Sequence, residues 1–162
     1  MSKRILVVLS EWGYWGEELI GPLDVLTSAG YSLDFMTPNG RKPVALPPSM
    51  DETYIDPPLD KGVTSAHFAK RTKEVDGSDL LANPINLSEK LPLMPYFNSD
   101  KFGHKLEEFF NTREEFWNEF VDPYDALLLP GGSGPMVEMV CTERLHNLVL
   151  WYVNRDTRVA AE

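Results

Sequence analysis

Asp125-Ala-Leu-Leu-Leu-Pro-Gly-Gly-Ser-Gly-Pro135 reads as a short, wholly apolar strand, a sharp glycine turn, and a helix opened by Pro135. An uninterrupted apolar run of this length, bounded by turn residues, fits a strand buried on both faces. That happens where helices cover a parallel sheet, so this stretch predicts an α/β fold.

Working outward, Ile5-Leu-Val-Val-Leu9 is a second run of the same kind, followed by a loop rich in glycine and aromatic residues from Ser10 to Gly16. Leu19, Ile20, Leu23, Leu26 and Ala29 then recur at helical spacing, and Gly30 is a natural stop. Pro22 cannot donate to the carbonyl of Glu18, so the helix begins near Gly21 or is kinked there. Either way Glu18 lies near a helix start, just beyond the carboxyl end of the first strand, where open α/β sheets keep their sites. Tyr31, Leu33 and Phe35 alternate with Ser32 and Asp34 in a second strand that ends at Thr37-Pro-Asn-Gly40. Strand, helix and strand with short connections predict a right-handed parallel unit.

Between residues 41 and 123 the pattern changes. Prolines at 43, 47, 48, 57, 58, 84, 92 and 95 punctuate segments too weakly periodic for sheet elements. This reads as a long insertion or lid of short helices and loops. Its strongest helix is Lys105 to Phe120, whose aromatic face suits core packing or a lid better than a cofactor box. After the opening strand, a helix is expected from Pro135 to about Asn154, with an irregularity near Cys141-Thr142 where a new helix could start. Asp156 to Glu162 reads as the start of a further buried strand. The whole is expected to be one α/β domain over residues 1–162, incomplete at its C-terminus: the N-terminal part of a flavodoxin-like doubly wound parallel sheet.

Composition narrows the partners. With 162 residues and 43% hydrophobic content there is material for one sizeable core. A formal net charge of -10 with scattered Lys and Arg argues against nucleic acid and anionic membrane. No run is long enough to span a bilayer, Ile5–Leu9 is too short for a signal peptide, and the single cysteine excludes an internal disulfide framework. A cytoplasmic protein is the default expectation.

Three stretches in order resemble the DJ-1/PfpI superfamily, within the class I glutamine amidotransferase-like fold, and its larger Hsp31-type members more than its compact ones. Glu17-Glu-Leu-Ile-Gly-Pro-Leu-Asp-Val25 matches the family's first helix. Ala29-Gly-Tyr-Ser-Leu-Asp-Phe-Met-Thr-Pro-Asn-Gly40 is similar to its "AGYEVDFATPDG" strand and turn. Tyr124-Asp-Ala-Leu-Leu-Leu-Pro-Gly-Gly-Ser-Gly-Pro135 resembles "YDAIFIPGGHG". The insertion matches no such motif.

The resemblance implies a nucleophilic cysteine on a tight turn, a glutamate from the first helix that contacts it, and backbone amides that hold an oxyanion. By position these are Glu18 for proton transfer and Gly131 and Gly132 for the amides. The family's "VAAVCHG" aligns with Arg158-Val-Ala-Ala-Glu162 up to the residue before the cysteine, so the nucleophile is expected directly after Glu162. This implies either a C-terminal remainder carried as a second polypeptide, which is favoured, or a truncated product, and little activity in this chain alone. Ser133 replaces the family's frequent histidine, and Glu162 stands where an apolar residue is usual; both bear on specificity. Trp12, Trp15 and Ser133 are the candidate binding residues, and Trp12, Tyr14 and Trp15 either wall the pocket or pack on the insertion.

The implied function is a cysteine-dependent enzyme on a small electrophile, first a glyoxalase III-like hydro-lyase that turns methylglyoxal into lactate, or a related hydratase or amidase. The alternative is a non-catalytic chaperone or stress-response binding protein that uses an aromatic surface of the insertion. A homo-oligomer is expected from the family, and neither a cofactor nor a metal is called for: His67, His104 and His146 show no ligand spacing. Cys141 reads as a small buried hydrophobe rather than a nucleophile. His104 and Glu108 read as a solvated helix pair. The sequon Asn86-Leu-Ser88 carries little weight without a secretory signal.

Overall fold

The computed structural model describes residues 3–95 and 101–159, with side chains described as far as Asn154. The chain runs β1 (Arg4–Val8), α1 (Gly16–Ser28) and β2 (Ser32–Thr37), then a 3-10 turn (Pro47–Met50) and an antiparallel pair, β3 (Ile55–Asp56) with β4 (Lys61–Gly62). Next come α2 (Ala66–Asp76), β5 (Ile85–Asn86), α3 (Leu87–Lys90) and α4 (Phe102–Glu115), which passes into a π-helical turn at Phe116–Val121. The last elements are β6 (Ala126–Leu128), α5 (Ser133–Val137) and α6 (Glu143–Val159).

The main sheet is parallel throughout, in the order β5-β2-β1-β6, with helices on both faces. This is the flavodoxin-like doubly wound arrangement. Leu6, Val7, Val8 and Leu9 are wholly buried, as a central parallel strand requires. On one face Ile5, Val7 and Leu9 pack with Leu19, Ile20 and Leu23 of α1 and Val75 of α2. On the other, Leu6, Val8 and Met36 pack with Phe116, Trp117, Val121, Tyr124, Leu145 and Leu148. Each such side chain contributes about 1.5–3 kcal/mol by leaving water.

The aromatic face of the expected 105–120 helix is therefore core. Trp117 is 3% exposed and stacks on Trp151 with centroids 4.8 Å apart, while Phe110, at 45%, looks outward.

Four sequence expectations are corrected. The 41–123 segment does supply sheet elements: Met36 and Thr37 of β2 pair with Ile85 and Asn86 of β5, a strand too short to show any period. The expected Pro135–Asn154 helix is three pieces, α5, a 3-10 turn at Met139–Cys141, and α6. Thr142 marks the restart, since its extended backbone precedes α6 and its carbonyl accepts from the Leu145 and His146 amides.

The strand expected from Asp156 is not formed over its first residues, because α6 continues to Val159; Ala160 to Glu162 lie outside the described residues. A helix satisfies these backbone groups within the segment, whereas a strand depends wholly on its neighbour. Finally, α1 runs through Pro22 from Gly16, so it does not begin near Gly21. The carbonyl it leaves unserved belongs to Glu18, an exposed residue open to water.

The stop at Gly30 is as expected and has a specific cause. Gly30 adopts φ +83° and donates to Thr27 O at 3.0 Å, while Tyr31 N–H donates to Leu26 O at 3.0 Å. This is the Schellman closure that glycine favours.

Candidate active site

β1 lies between β2 and β6, and the chain leaves these neighbours in opposite directions, so the carboxyl ends of β1 and β6 form a topological switch point. Two loops meet there: residues 9–15 after β1 and residues 129–132 after β6. Trp15 N–H donates to Gly131 O at 2.8 Å. On its other side the first loop is held by Tyr14, whose N–H donates to Val44 O at 3.1 Å and whose carbonyl accepts from Leu46 N–H at 2.9 Å.

Glycine makes this approach possible. Gly132 sits at φ +127°, and a Cβ there would lie 2.8 Å from Trp15 N. A Cβ on Gly134 would collide with the Gly13 carbonyl and stand 2.7 Å from Gly13 N and from Ser10 Oγ. The glycines of the quoted turn are thus the places where two backbones touch.

Into this corner α1 delivers Glu18. A carboxylate in the first turn ordinarily complements its own helix dipole. Here Glu18 Oε2 instead accepts the Gly131 N–H at 2.7 Å, across 113 residues. A Cβ on Gly131 would lie 2.6 Å from the same oxygen, so any other residue there would push the Glu18 carboxylate aside. The Gly131 amide is consequently engaged by Glu18. The Gly132 N–H has no partner among the described residues.

The other candidates lie around this pair. Trp15 is half-buried and touches the turn through its backbone. Ser133 opens α5 and is exposed. Trp12 is 62% exposed, and its N–H donates to Ser10 Oγ at 3.1 Å. Tyr14 is fully buried against the insertion, with its hydroxyl 3.5 Å from Asp76 Oδ1. Burial pushes the Tyr14 phenol well above its ordinary pKa, and Asp76 adds to the shift. Beside the turn runs an apolar groove of about 760 Å³ lined by Leu129, Gly132, Met136, Val140, His146 and Leu150.

Two carboxylates that sequence reasoning did not single out hold the loops together. Glu138 Oε2 accepts from Ser10 Oγ at 2.7 Å and Glu11 N–H at 2.8 Å, tying the segment after α5 to the loop after β1. Its Oε1 is buried without a partner among the described residues. Glu11, with a side chain only 3% exposed, accepts from the Asn39 and Arg41 amides and from Arg41 Nε at 2.7 Å, which ties in the turn after β2. Burial alone would raise the Glu11 pKa, but these hydrogen bonds together outweigh it and hold the carboxyl below its ordinary value. No local pattern marks either residue, because their partners are distant in sequence.

Cys141 is exposed, which corrects the expectation of a buried thiol: the 3-10 turn that interrupts the helix swings it outward. His104 Nε2 and Glu108 Oε1 stand 3.4 Å apart with both side chains largely exposed, a solvated pair. In the sequon, Asn86 Oδ1 accepts from Ser88 N–H and Oγ and so caps α3. No three His, Cys, Asp or Glu gather as a metal site among the described residues, and no helix there is long and apolar enough to cross a membrane.

A family profile described as ThiJ/PfpI family-like matches residues 9–162, a span that takes in Glu18, the Gly131-Gly132 turn and the segment after α5. No curated protein and no solved structure matches the chain.

Proposed function

The chain belongs to the ThiJ/PfpI-like family, and from that premise we propose that it forms the glutamate and oxyanion portion of a cysteine-dependent enzyme acting on small electrophiles. Methylglyoxal, converted to lactate as glyoxalase III does, is the first substrate; nitrile hydration or amide hydrolysis is the related chemistry. The thiol comes from the segment that the resemblance places after Glu162. Its thiolate adds to the aldehyde carbon, and the oxyanion formed there faces the Gly132 amide. Glu18 carries the proton from the aldehyde carbon to the neighbouring one, and water then releases lactate. Methylglyoxal plus water equals lactate, so no outside oxidant or reductant is needed.

The observation that carries this reading is the 2.7 Å bond from Gly131 N–H to Glu18. A glutamate serving only its own helix has no reason to reach the opposite loop. The chaperone alternative rests on the aromatic face of the insertion, and that face is packed into the core. Self-association and a cytoplasmic setting accompany the enzymatic proposal.

The test is lactate formation from methylglyoxal by the protein bearing the thiol. Glu18→Gln should lower turnover by about 10²–10⁴-fold while leaving the unfolding midpoint nearly unchanged. Full activity in Glu18→Gln, or activity that survives alkylation of the thiol, would sink the reading.

A further inference from the structure

The indole of Trp117 carries a buried donor without an acceptor. The residue is 3% exposed, yet its Nε1–H has no partner among the described residues. Stacking on Trp151 and an edge contact with Phe116, both with centroids 4.8 Å apart, account for the packing of the ring and leave the N–H unserved. Buried donors are nearly always hydrogen-bonded, so an exception of this kind asks for a physical reason.

The backbone is unusual at the same place. α4 gives way there to the π-helical turn, and Asp122 N–H donates to Trp117 O, five residues back, at 2.9 Å. Within that wider turn the consecutive residues Phe116 and Trp117 are both buried. Single π-turns inside helices are rare and often mark functional sites.

Trp117 also lines a cavity of about 190 Å³ between this turn and α6, together with Arg113, Asn147, Leu150, Trp151 and Asn154. For scale, an apolar cavity of about 150 Å³ holds benzene. The lining is selective in charge. Although the chain carries a net charge of -10, no carboxylate lines this cavity; Glu114, Glu115 and Glu119 of the same segment line a different one. Its cation, Arg113, is half-buried and has no carboxylate partner among the described residues, with its guanidinium 5.5 Å from the Phe110 ring centroid. A charged donor and a buried one thus border the same space, each without an acceptor.

We propose that this cavity binds a small carboxylate with an apolar or aromatic body. The Arg113 guanidinium and the Trp117 indole N–H take the carboxylate oxygens, Asn147 adds an amide donor, and the body lies along Leu150 and Trp151. The planar fork of arginine matches a carboxylate in geometry as well as charge. Of the lining residues only Leu150 also borders the groove beside the glycine turn, so the proposal does not depend on the functional reading above.

Benzoate is the probe, and benzamide is its neutral counterpart of nearly the same shape. Nitrogen-15 NMR of the native protein follows the Trp117 indole N–H resonance, assigned through its own backbone. Benzoate should move it downfield and saturably, with a Kd of about 0.1–10 mM for a ligand of this size. Benzamide should bind about tenfold or more weakly. Benzoate should lose about as much on Arg113→Met, which keeps an apolar stem beside Phe110 and removes the charge.

A Trp117 resonance that stays in place up to about 50 mM benzoate, well above that Kd range, overturns the proposal and leaves the indole N–H to water. Equal binding of benzamide also overturns it, as does undiminished benzoate binding by Arg113→Met, since either result removes the carboxylate from the recognition.

Discussion

One substitution made at two helical glycines should have opposite effects. Gly21 in α1 has nothing within 4 Å of where a Cβ would sit, so Gly21→Ala should stabilise the protein by about 0.5–1 kcal/mol through helix propensity. Gly134 lies in α5, and propensity alone predicts the same sign. Its Cβ, however, would fall on the Gly13 carbonyl and 2.7 Å from Gly13 N and Ser10 Oγ, where ordinary contact begins near 3.4 Å. Neither neighbour yields easily: one is backbone, and the other is held by Glu138 at 2.7 Å.

Overpacking of this kind costs about 1–3 kcal/mol. Moving the loop aside also strains the two bonds to the Glu138 carboxylate, each contributing about 1.5–3 kcal/mol when intact. If both bonds are lost, Gly134→Ala should cost about 3–8 kcal/mol after the propensity gain is subtracted. Urea unfolding followed by tryptophan fluorescence, with linear extrapolation to water, measures both variants. Wild-type stability in Gly134→Ala would refute the close approach of the two loops, and a loss in Gly21→Ala would refute the use of local space to set the sign.

Glu11 should make stability depend on acid. Its folded pKa lies below the ordinary 4.5, so its contribution is present above that value and is lost as the pH falls through the lowered folded one. The stability gap between wild type and Glu11→Gln should be widest near neutrality and narrow as the pH falls below 4.5, and a gap that stays constant as the protein is acidified until it unfolds would contradict the clamp on Asn39 and Arg41. Cys141 should react with Ellman's reagent as one fast thiol in the native chain, since it is exposed and the sole cysteine; reaction only after unfolding would contradict its placement on an outward turn.

The residues that disclosed the fold are those whose partners come from every direction. Leu6 to Leu9 are buried whatever packs on them, so the run itself carries the message. β6 is legible by composition alone, and the burial on both faces expected of it is not found, since Ala126 is exposed and Leu127 and Leu128 are only half-buried at the end of the described sheet. Glu18 could be placed because helix start and strand end are local facts, even with Pro22 obscuring the first turn. β5 was invisible: two residues show no period, and Ile85 and Asn86 become a strand only because β2 offers an edge. The break at Cys141-Thr142 is legible as a place where a new helix could start, but the 3-10 turn is not, since Met139, Leu145 and Leu148 keep an apolar face through it. Glu138 and Glu11 lay beyond reach, as a carboxylate on a loop looks like solvation until its distant donors arrive. Cys141 misled because residue type predicts burial only on average.

The bond between Gly131 and Glu18 also bears on how the molecule comes into being. β1 and β2 can pair once some forty residues exist, but the Arg4 amide meets the Asp125 carboxylate across 121 residues, and the glycine turn comes later still. On a ribosome the first glutamate-bearing helix therefore waits, its carboxylate in water, while the insertion is made and folds. The corner appears only when that long loop closes, at an entropic cost that grows slowly with loop length. A chain interrupted anywhere before Gly131 can hold α1 and still lack the corner. Its assembly thus reports that the N- and C-terminal parts of the sheet have found each other.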